Sequence, residues 1–343
     1  MKRRHLLQFA AGTAAIVQAP ALLAQSLTKL KFTLDFRVTG QTAPFFVALA
    51  KGYYKDEGLD VSIDVGSGSV ASITRVASGA YDLGFGDISA LIEFASSQAA
   101  SGNAASQVQA VYQYYNRAPF AIICRKDRGV TDFKSLAGKH IAAAAVESTK
   151  RAWPMVAKKA GIKADALNWV TTDFNSRDNV VVRGDVDGAT YFHDSAVSLF
   201  QRMKPEELVV LPYASAGVHL YGNAVLASSR LIAQNPKAVA GFVRASHRAM
   251  METLANPAAA VAFVKQREAM IDEKVELERF RITAGYVVAP DTREHGLGDV
   301  KRALVQQQID EVGETFGLKN LPGVDGLYQL GFLPPKAERM LKA

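Results

Sequence analysis

At 343 residues, with 49% hydrophobic and 21% charged side chains, the chain can bury one large core or two ordinary ones, and its composition excludes an extended disordered protein. Its 40 basic and 33 acidic residues are spread along the chain with no basic run interleaved with aromatics, which excludes a nucleic-acid surface. The single cysteine, Cys124 in the apolar run Phe120-Ala-Ile-Ile-Cys, excludes an internal disulfide and reads as a small buried apolar residue.

Residues 1–24, MKRRHLLQFAAGTAAIVQAPALLA, have a basic start, an apolar middle and small residues before a cut after Ala24 or Ala21. They read as a cleaved export signal, because the apolar run is too short and too interrupted for the ~20 residues that span a bilayer. Arg3-Arg4 ahead of His5-Leu6-Leu7 suits a twin-arginine leader as well as a general secretory one, and either route leads to the periplasm. No cysteine lies near the cut, which argues against a lipid anchor.

An alternating apolar pattern from Leu27 to Phe36 predicts the first strand. Thr42 then caps a helix with Pro44 in its first turn; Phe45, Ala48, Leu49, Gly52 and Tyr53 share one face, and Gly58 stops it. Leu59, Val61 and Ile63 alternate with Asp60, Ser62 and Asp64, so the period drops from 3.6 to 2 and a strand follows. A helix from Ser69 to Gly79, a strand from Tyr81 to Phe85, a helix opened by Asp87, a loop over 98–106 and a strand from Val108 to Tyr114 complete the unit. Strands and helices alternating across short joints predict a parallel sheet covered on both faces.

Asn116-Arg-Ala-Pro119 reads as a crossing into a second α/β unit. That unit has strands at 120–124, 141–146, 167–171, 188–192 and 208–213 and helices at 133–137, 149–160, 176–183 and 195–203. His219-Leu-Tyr-Gly-Asn-Ala-Val-Leu reads as the return crossing, and from Pro236 the pattern is helical nearly throughout. Two crossings make the first lobe discontinuous, residues 25–115 with 222–343, against 116–221 for the second.

In open parallel sheets a ligand lies beyond the carboxyl ends of the strands, and a cleft between two such lobes is a favoured pocket. That rule selects Phe36 and Thr42, the loop residues Ser67, Gly68 and Ser69, Asp87, Tyr114 and Asn116, Glu147 and Ser148, Phe192, His193 and Asp194, and Tyr221 at the return crossing. Gly66-Ser-Gly-Ser69 precedes a helix, so it offers N–H groups and hydroxyls to an oxygen, or else serves as a turn and cap. Asp87 and Asp194 read equally as helix caps. Glu147 follows Ala142 to Val146, where small side chains allow close backbone approach, and Glu147→Ala is expected to weaken ligand binding with the melting temperature nearly unchanged. Three acidic groups facing a cleft favour a ligand with amine, amidine or ring N–H donors, and Phe36, Tyr114, Phe192 and Tyr221 offer flat faces for stacking.

The run Ala43-Pro-Phe-Phe-Val-Ala, then Lys51-Gly-Tyr-Tyr, Glu57-Gly-Leu-Asp-Val and Gly79-x-Tyr-Asp82-x-Gly84, resembles the opening of the NMT1/THI5-like family of solute-binding proteins that serve ABC importers. Ala118-Pro-Phe-Ala-Ile and Leu220-Tyr-Gly-Asn-Ala extend the resemblance over most of the mature chain. It implies the type 2 periplasmic binding protein fold, two α/β lobes around a ligand cleft joined by two crossing strands, and hence a monomer that hands a small molecule to an inner-membrane permease. Members that bind a thiamine-precursor pyrimidine commonly carry tryptophan, asparagine and histidine where this chain has Phe36, Thr39 and Thr42. Related branches take alkanesulfonates, taurine, nitrate or riboflavin, and a sensor partner in place of a permease fits the same features.

The expectation is therefore a periplasmic binding protein for an aminopyrimidine-like or other planar heterocycle, with an oxoanion ligand as the alternative. Its histidines at 140, 193, 219, 247 and 295 have no metal-like spacing, no G-x-S-x-G motif occurs, and Asp185-Val-Asp187-Gly lacks the remaining ligands of a calcium loop. No enzyme, no cofactor and no metal are expected, with a pyrimidine synthase of the same superfamily as the enzymatic alternative.

Overall fold

Among the described residues, 26–102 and 107–341 of this computed structural model, ten strands form two five-stranded sheets. The first is built from β1 (Thr28–Thr33), β2 (Leu59–Asp64), β3 (Leu83–Asp87) and β4 (Val108–Gln113), joined late in the chain by β10 (Asn223–Ser228). The second holds β5 (Phe120–Arg125), β6 (His140–Ala143), β7 (Asn168–Thr171), β8 (Gly188–Phe192) and β9 (Leu208–Pro212). Their orders, β2-β1-β3-β10-β4 and β7-β6-β8-β5-β9, are equivalent. Leu59, Val61 and Ile63 are buried and their neighbours exposed, as the period of two requires.

Neither sheet is wholly parallel, which corrects the expectation from strand and helix alternation. β10 runs antiparallel to both β3 and β4, and β5 antiparallel to both β8 and β9. The cause is the crossings. β4 ends where 114–119 leave for the second sheet, so β5 begins at the edge where its neighbours β8 and β9 end, and β10 does the same on the return between β3 and β4.

The predicted first helix is broken in two, Ala43–Ala50 and Tyr53–Asp56, because Gly52 adopts φ 76° between them. The helix opened by Asp87 runs Ile88–Ala100, into the predicted loop over 98–106, since Gln98, Ala99 and Ala100 are good helix formers. The pattern over 195–203 gives only a 3₁₀ turn, His193–Ala196, and one helical turn, Val197–Phe200, while that over 133–137 gives a 3₁₀ turn, Lys134–Leu136. Helices Pro236–Ala255 and Pro257–Arg267 each start with an Asn-Pro pair: Asn235 and Asn256 accept from Ala238 N at 3.1 Å and Ala259 N at 3.2 Å, and proline fixes the first turn. The expected export signal lies outside the described residues.

Phe32 of β1 meets Phe45 edge-on at 4.8 Å and Phe242 at 5.1 Å, locking the first sheet under its helices. A second apolar cluster runs without interruption from Ile88, Leu91 and Leu226 to Phe120, Ile122 and Trp153, so both sheets share a core along the crossings. Cys124 is fully buried in it, and burial pushes its thiol up to about 12. No helix among the described residues is long and apolar enough to cross a membrane.

Candidate ligand-binding site

A cavity holding about 420 Å³ of empty space, part of it open to solvent, lies between the two sheets. Its lining comes from strand ends. Asp35, Phe36 and Gln41 follow β1; Gly68 and Ser69 follow β2; Glu147 and Ser148 follow β6; Phe174 and Arg177 follow β7; Phe192 ends β8 and Ser195 follows it.

On the first-sheet side the loop over 66–69 is pinned to the segment after β1: Gly66 N donates to Phe36 O at 3.0 Å and Gly68 N to Asp35 O at 2.7 Å. A Cβ on Gly66 would stand 1.9 Å from Leu34 O. Gly66→Ala is therefore expected to displace the loop and lower stability by about 1–3 kcal/mol, read as an earlier urea midpoint with an unchanged slope. Ser69 opens the helix Ser69–Ala77 and faces the cavity, whereas Ser67 is exposed and outside the lining.

Asp35 reads in the sequence as the end of a strand, and the strand-end rule starts its selection one residue later, at Phe36. It is 5% exposed; its Oδ2 accepts from Asn223 Nδ2 at 2.6 Å and its Oδ1 has no partner. Burial pushes its carboxyl up to about 7.

Across the cavity, Glu147 is not the free acceptor expected. Its Oε1 accepts from Arg177 Nη1 at 2.8 Å, and its Oε2 from Thr190 Oγ1 at 2.8 Å and Ala144 N at 3.2 Å. Both partners of the ion pair are buried, at 4% and 3% side-chain exposure. The Arg177 guanidinium lies over the Tyr191 ring at 4.0 Å and beside Phe174 at 5.4 Å. Its Nη2 reaches Ser195 Oγ at 3.4 Å, and its Nε has no partner.

The other predicted acids are elsewhere. Asp87 is the cap of Ile88–Ala100, accepting from Ala90 N at 3.1 Å, with Oδ2 unpartnered and its carboxyl pushed up by burial to about 7. Asp194 accepts from Tyr115 OH and from Thr283 Oγ1 at 2.8 Å, away from the lining, and burial raises its pKa. The three-acid cleft is thus corrected to Glu147, neutralised by Arg177, and Asp35.

Of the expected aromatic faces, Phe36 and Phe192 line the cavity, joined by Phe174, which meets Phe36 edge-on at 5.4 Å. Tyr114 does not. It is packed between Phe45 and Phe85 in the core, its hydroxyl donating to Gln41 O at 2.5 Å. Tyr221 donates to Asp291 Oδ2 at 2.7 Å and, with Asn116, lines a separate cavity of about 870 Å³ beside the crossings. His193 pairs with Tyr286 OH at 2.9 Å, and Thr42 turns back to Thr39 O at 3.2 Å, so neither faces the site.

The family described as NMT1/THI5 like matches residues 39–260. The chain belongs to that family. Among NMT1/THI5-like relatives, riboflavin-binding protein RibY of Chloroflexus aurantiacus is 30% identical over 253 residues, 71% of this chain and 68% of that protein. A protein of Aspergillus parasiticus named 4-amino-5-hydroxymethyl-2-methylpyrimidine phosphate synthase is 28% identical over 247 residues, 68% of this chain and 69% of that one. The ligand-binding component of an ABC-type import system from Staphylococcus aureus superimposes with a TM-score of 0.66 at 11% identity, over 89% of this chain and 97% of its own. The fold is that of the periplasmic binding proteins. The synthase relatives overturn the expectation that this chain is no enzyme, because proteins named as enzymes share its sequence over two thirds of its length.

Proposed function

We propose that this NMT1/THI5-like chain is the periplasmic substrate-binding component of an ABC importer and captures a small planar ring compound bearing hydrogen-bond donors. The observation that supports it is the pairing of aromatic walls, Phe36, Phe174 and Phe192, with buried Asp35, whose Oδ1 has no partner in the protein and accepts from a ligand donor once the carboxyl ionises. Residues 25–115 with 222–343 form one lobe in this reading and 116–221 the other. Residues 1–24 direct export, and the ligand favours the closed arrangement in which Phe36 meets Phe174 across the cavity, the form the permease recognises. The helix starts at Ser69 and Ser148 favour a second reading, a ringless oxoanion such as an alkanesulfonate.

A thermal-shift screen of the protein from Gln25 separates the two, using aminopyrimidines and riboflavin against taurine, ethanesulfonate and nitrate. A ligand at 100 times its dissociation constant adds about 2.7 kcal/mol. Phe174→Ala is expected to weaken a ring ligand about tenfold through lost stacking and burial. A shift with sulfonates alone, or an affinity indifferent to Phe174, overturns the first reading. Small-angle scattering tests closure: a bound ligand without compaction contradicts it.

A further inference from the structure

We infer that the ligand is an acid: a ring compound whose carboxylate or sulfonate is held by the free edge of Arg177 together with the first turns of the helices that start at Ser69 and Ser148. This rests on the ring-binding reading above and narrows it to a charge class.

A guanidinium presents five N–H groups, and its Nε and one Nη form the fork that receives both oxygens of a carboxylate. In Arg177 the pairing with Glu147 runs through Nη1 at 2.8 Å. The Nε and Nη2 edge is left open. Nε has no partner, and Nη2 makes only a 3.4 Å contact with Ser195 Oγ, whose own proton goes to Phe192 O at 2.7 Å. The side chain is 4% exposed and held flat on Tyr191 at 4.0 Å, so this edge is a fixed, desolvated donor pair on the cavity wall. An unmade hydrogen bond of this kind is expensive in an empty site and becomes favourable when an anion fills it.

The surrounding charges suit an anion despite Glu147. That carboxylate is already met by Arg177, Thr190 and Ala144 N. The Arg37 guanidinium lies over Phe36 at 4.7 Å, and its pKa is lowered first by burial and further by the positive charges of Arg279 and Arg177, against the opposing effect of Asp178 and Glu276. The helix Ser69–Ala77 has nine residues and Ser148–Ala160 thirteen, so each carries a partial positive charge at the end that meets the cavity.

The test is isothermal titration of the mature protein with matched pairs that differ only in charge: benzoate and benzamide, nicotinate and nicotinamide, benzenesulfonate and benzenesulfonamide, with ethanesulfonate as the ringless control. Each bound acid is expected to be at least about tenfold tighter than its amide, the scale of one charge-assisted fork. Arg177→Lys, which keeps a cation for Glu147 and removes the fork, is expected to bring that ratio close to one by weakening the acid far more than the amide. Equal binding of acid and amide overturns the acid inference while the ring reading stands. Binding of ethanesulfonate alone, or of none of the ring compounds, overturns both. Should Arg177→Lys fail to fold, the ratio measured on the unaltered protein still decides.

Discussion

Replacing Glu147 by alanine is expected to lower the unfolding free energy by about 3–5 kcal/mol, because it leaves the Arg177 cation buried without its partner. The nearest counter-charge on the cavity wall disappears, Ala144 N loses its acceptor, and Thr190 Oγ1 keeps only Ala142 O at 3.4 Å. Glu147→Gln is expected to lose less, since an amide oxygen still accepts from one of these donors. Urea unfolding of both variants measures the difference, and a midpoint for Glu147→Ala equal to that of the unaltered protein would sink the argument. The sequence alone leads to the opposite expectation, lost affinity at unchanged stability, on the ground that a loop contributes little to a core. The loop does contribute, through an ion pair with 4% and 3% exposure that no local pattern announces.

What the sequence made legible follows from periodicity. The alternation over 59–64 and the helical spacing over 236–255 are set by which face is buried, and they form the elements they predict. Strand direction is not encoded in a period of two, so the antiparallel insertion of β5 and β10 had to come from tracing where each crossing enters a sheet. Capping was half legible: Asp87 does cap its helix, while Thr42 precedes the helix Ala43–Ala50 without a side-chain capping bond.

The site was legible to the extent that the strand-end rule was applied to every strand. It selects Phe36, Gly68, Ser69, Glu147, Ser148 and Phe192, all on the cavity. Applied equally to the loop after β7, it also selects Phe174 and leads to Arg177 at the start of the following helix. Arg177 reads as an exposed residue of Ser-Arg-Asp-Asn, because its partners Glu147 and Tyr191 lie 30 residues before and 14 after it. Tyr114, Asn116 and Tyr221 were drawn in by the crossings, whose backbone passes the cleft while their side chains turn into the core or toward the second cavity.

Raising the pH from 5 to 8 is expected to destabilise the ligand-free protein. The carboxyls of Asp35 and Asp87 are held near 7 by burial against an ordinary value of 3.8, so the folded state keeps protons that the unfolded chain has released. Where the folded state binds more protons, stability falls as pH rises; here the fall begins near the unfolded value of 3.8 and levels off above about 7. At about 1.4 kcal/mol per pH unit for each group, the two together are worth several kcal/mol over that span. Buried His193 and His247 oppose the trend, since burial lowers their pKa values and the unfolded chain then binds the extra proton below about 6.5. Exposed carboxylates such as Asp127 and Glu314, held below their ordinary values by Arg125 and Lys158, act only at lower pH. The double variant Asp35→Asn with Asp87→Asn isolates the acids: it is expected to melt higher than the unaltered protein at pH 5 and by a wider margin at pH 8. An unchanged slope in the double variant would assign the pH dependence elsewhere. The two positions differ in what the burial serves. Asp87 holds a helix start, which asparagine also does. Asp35 leaves one oxygen unpartnered on the wall of the cavity, and its destabilisation is relieved only by a donor arriving from the ligand.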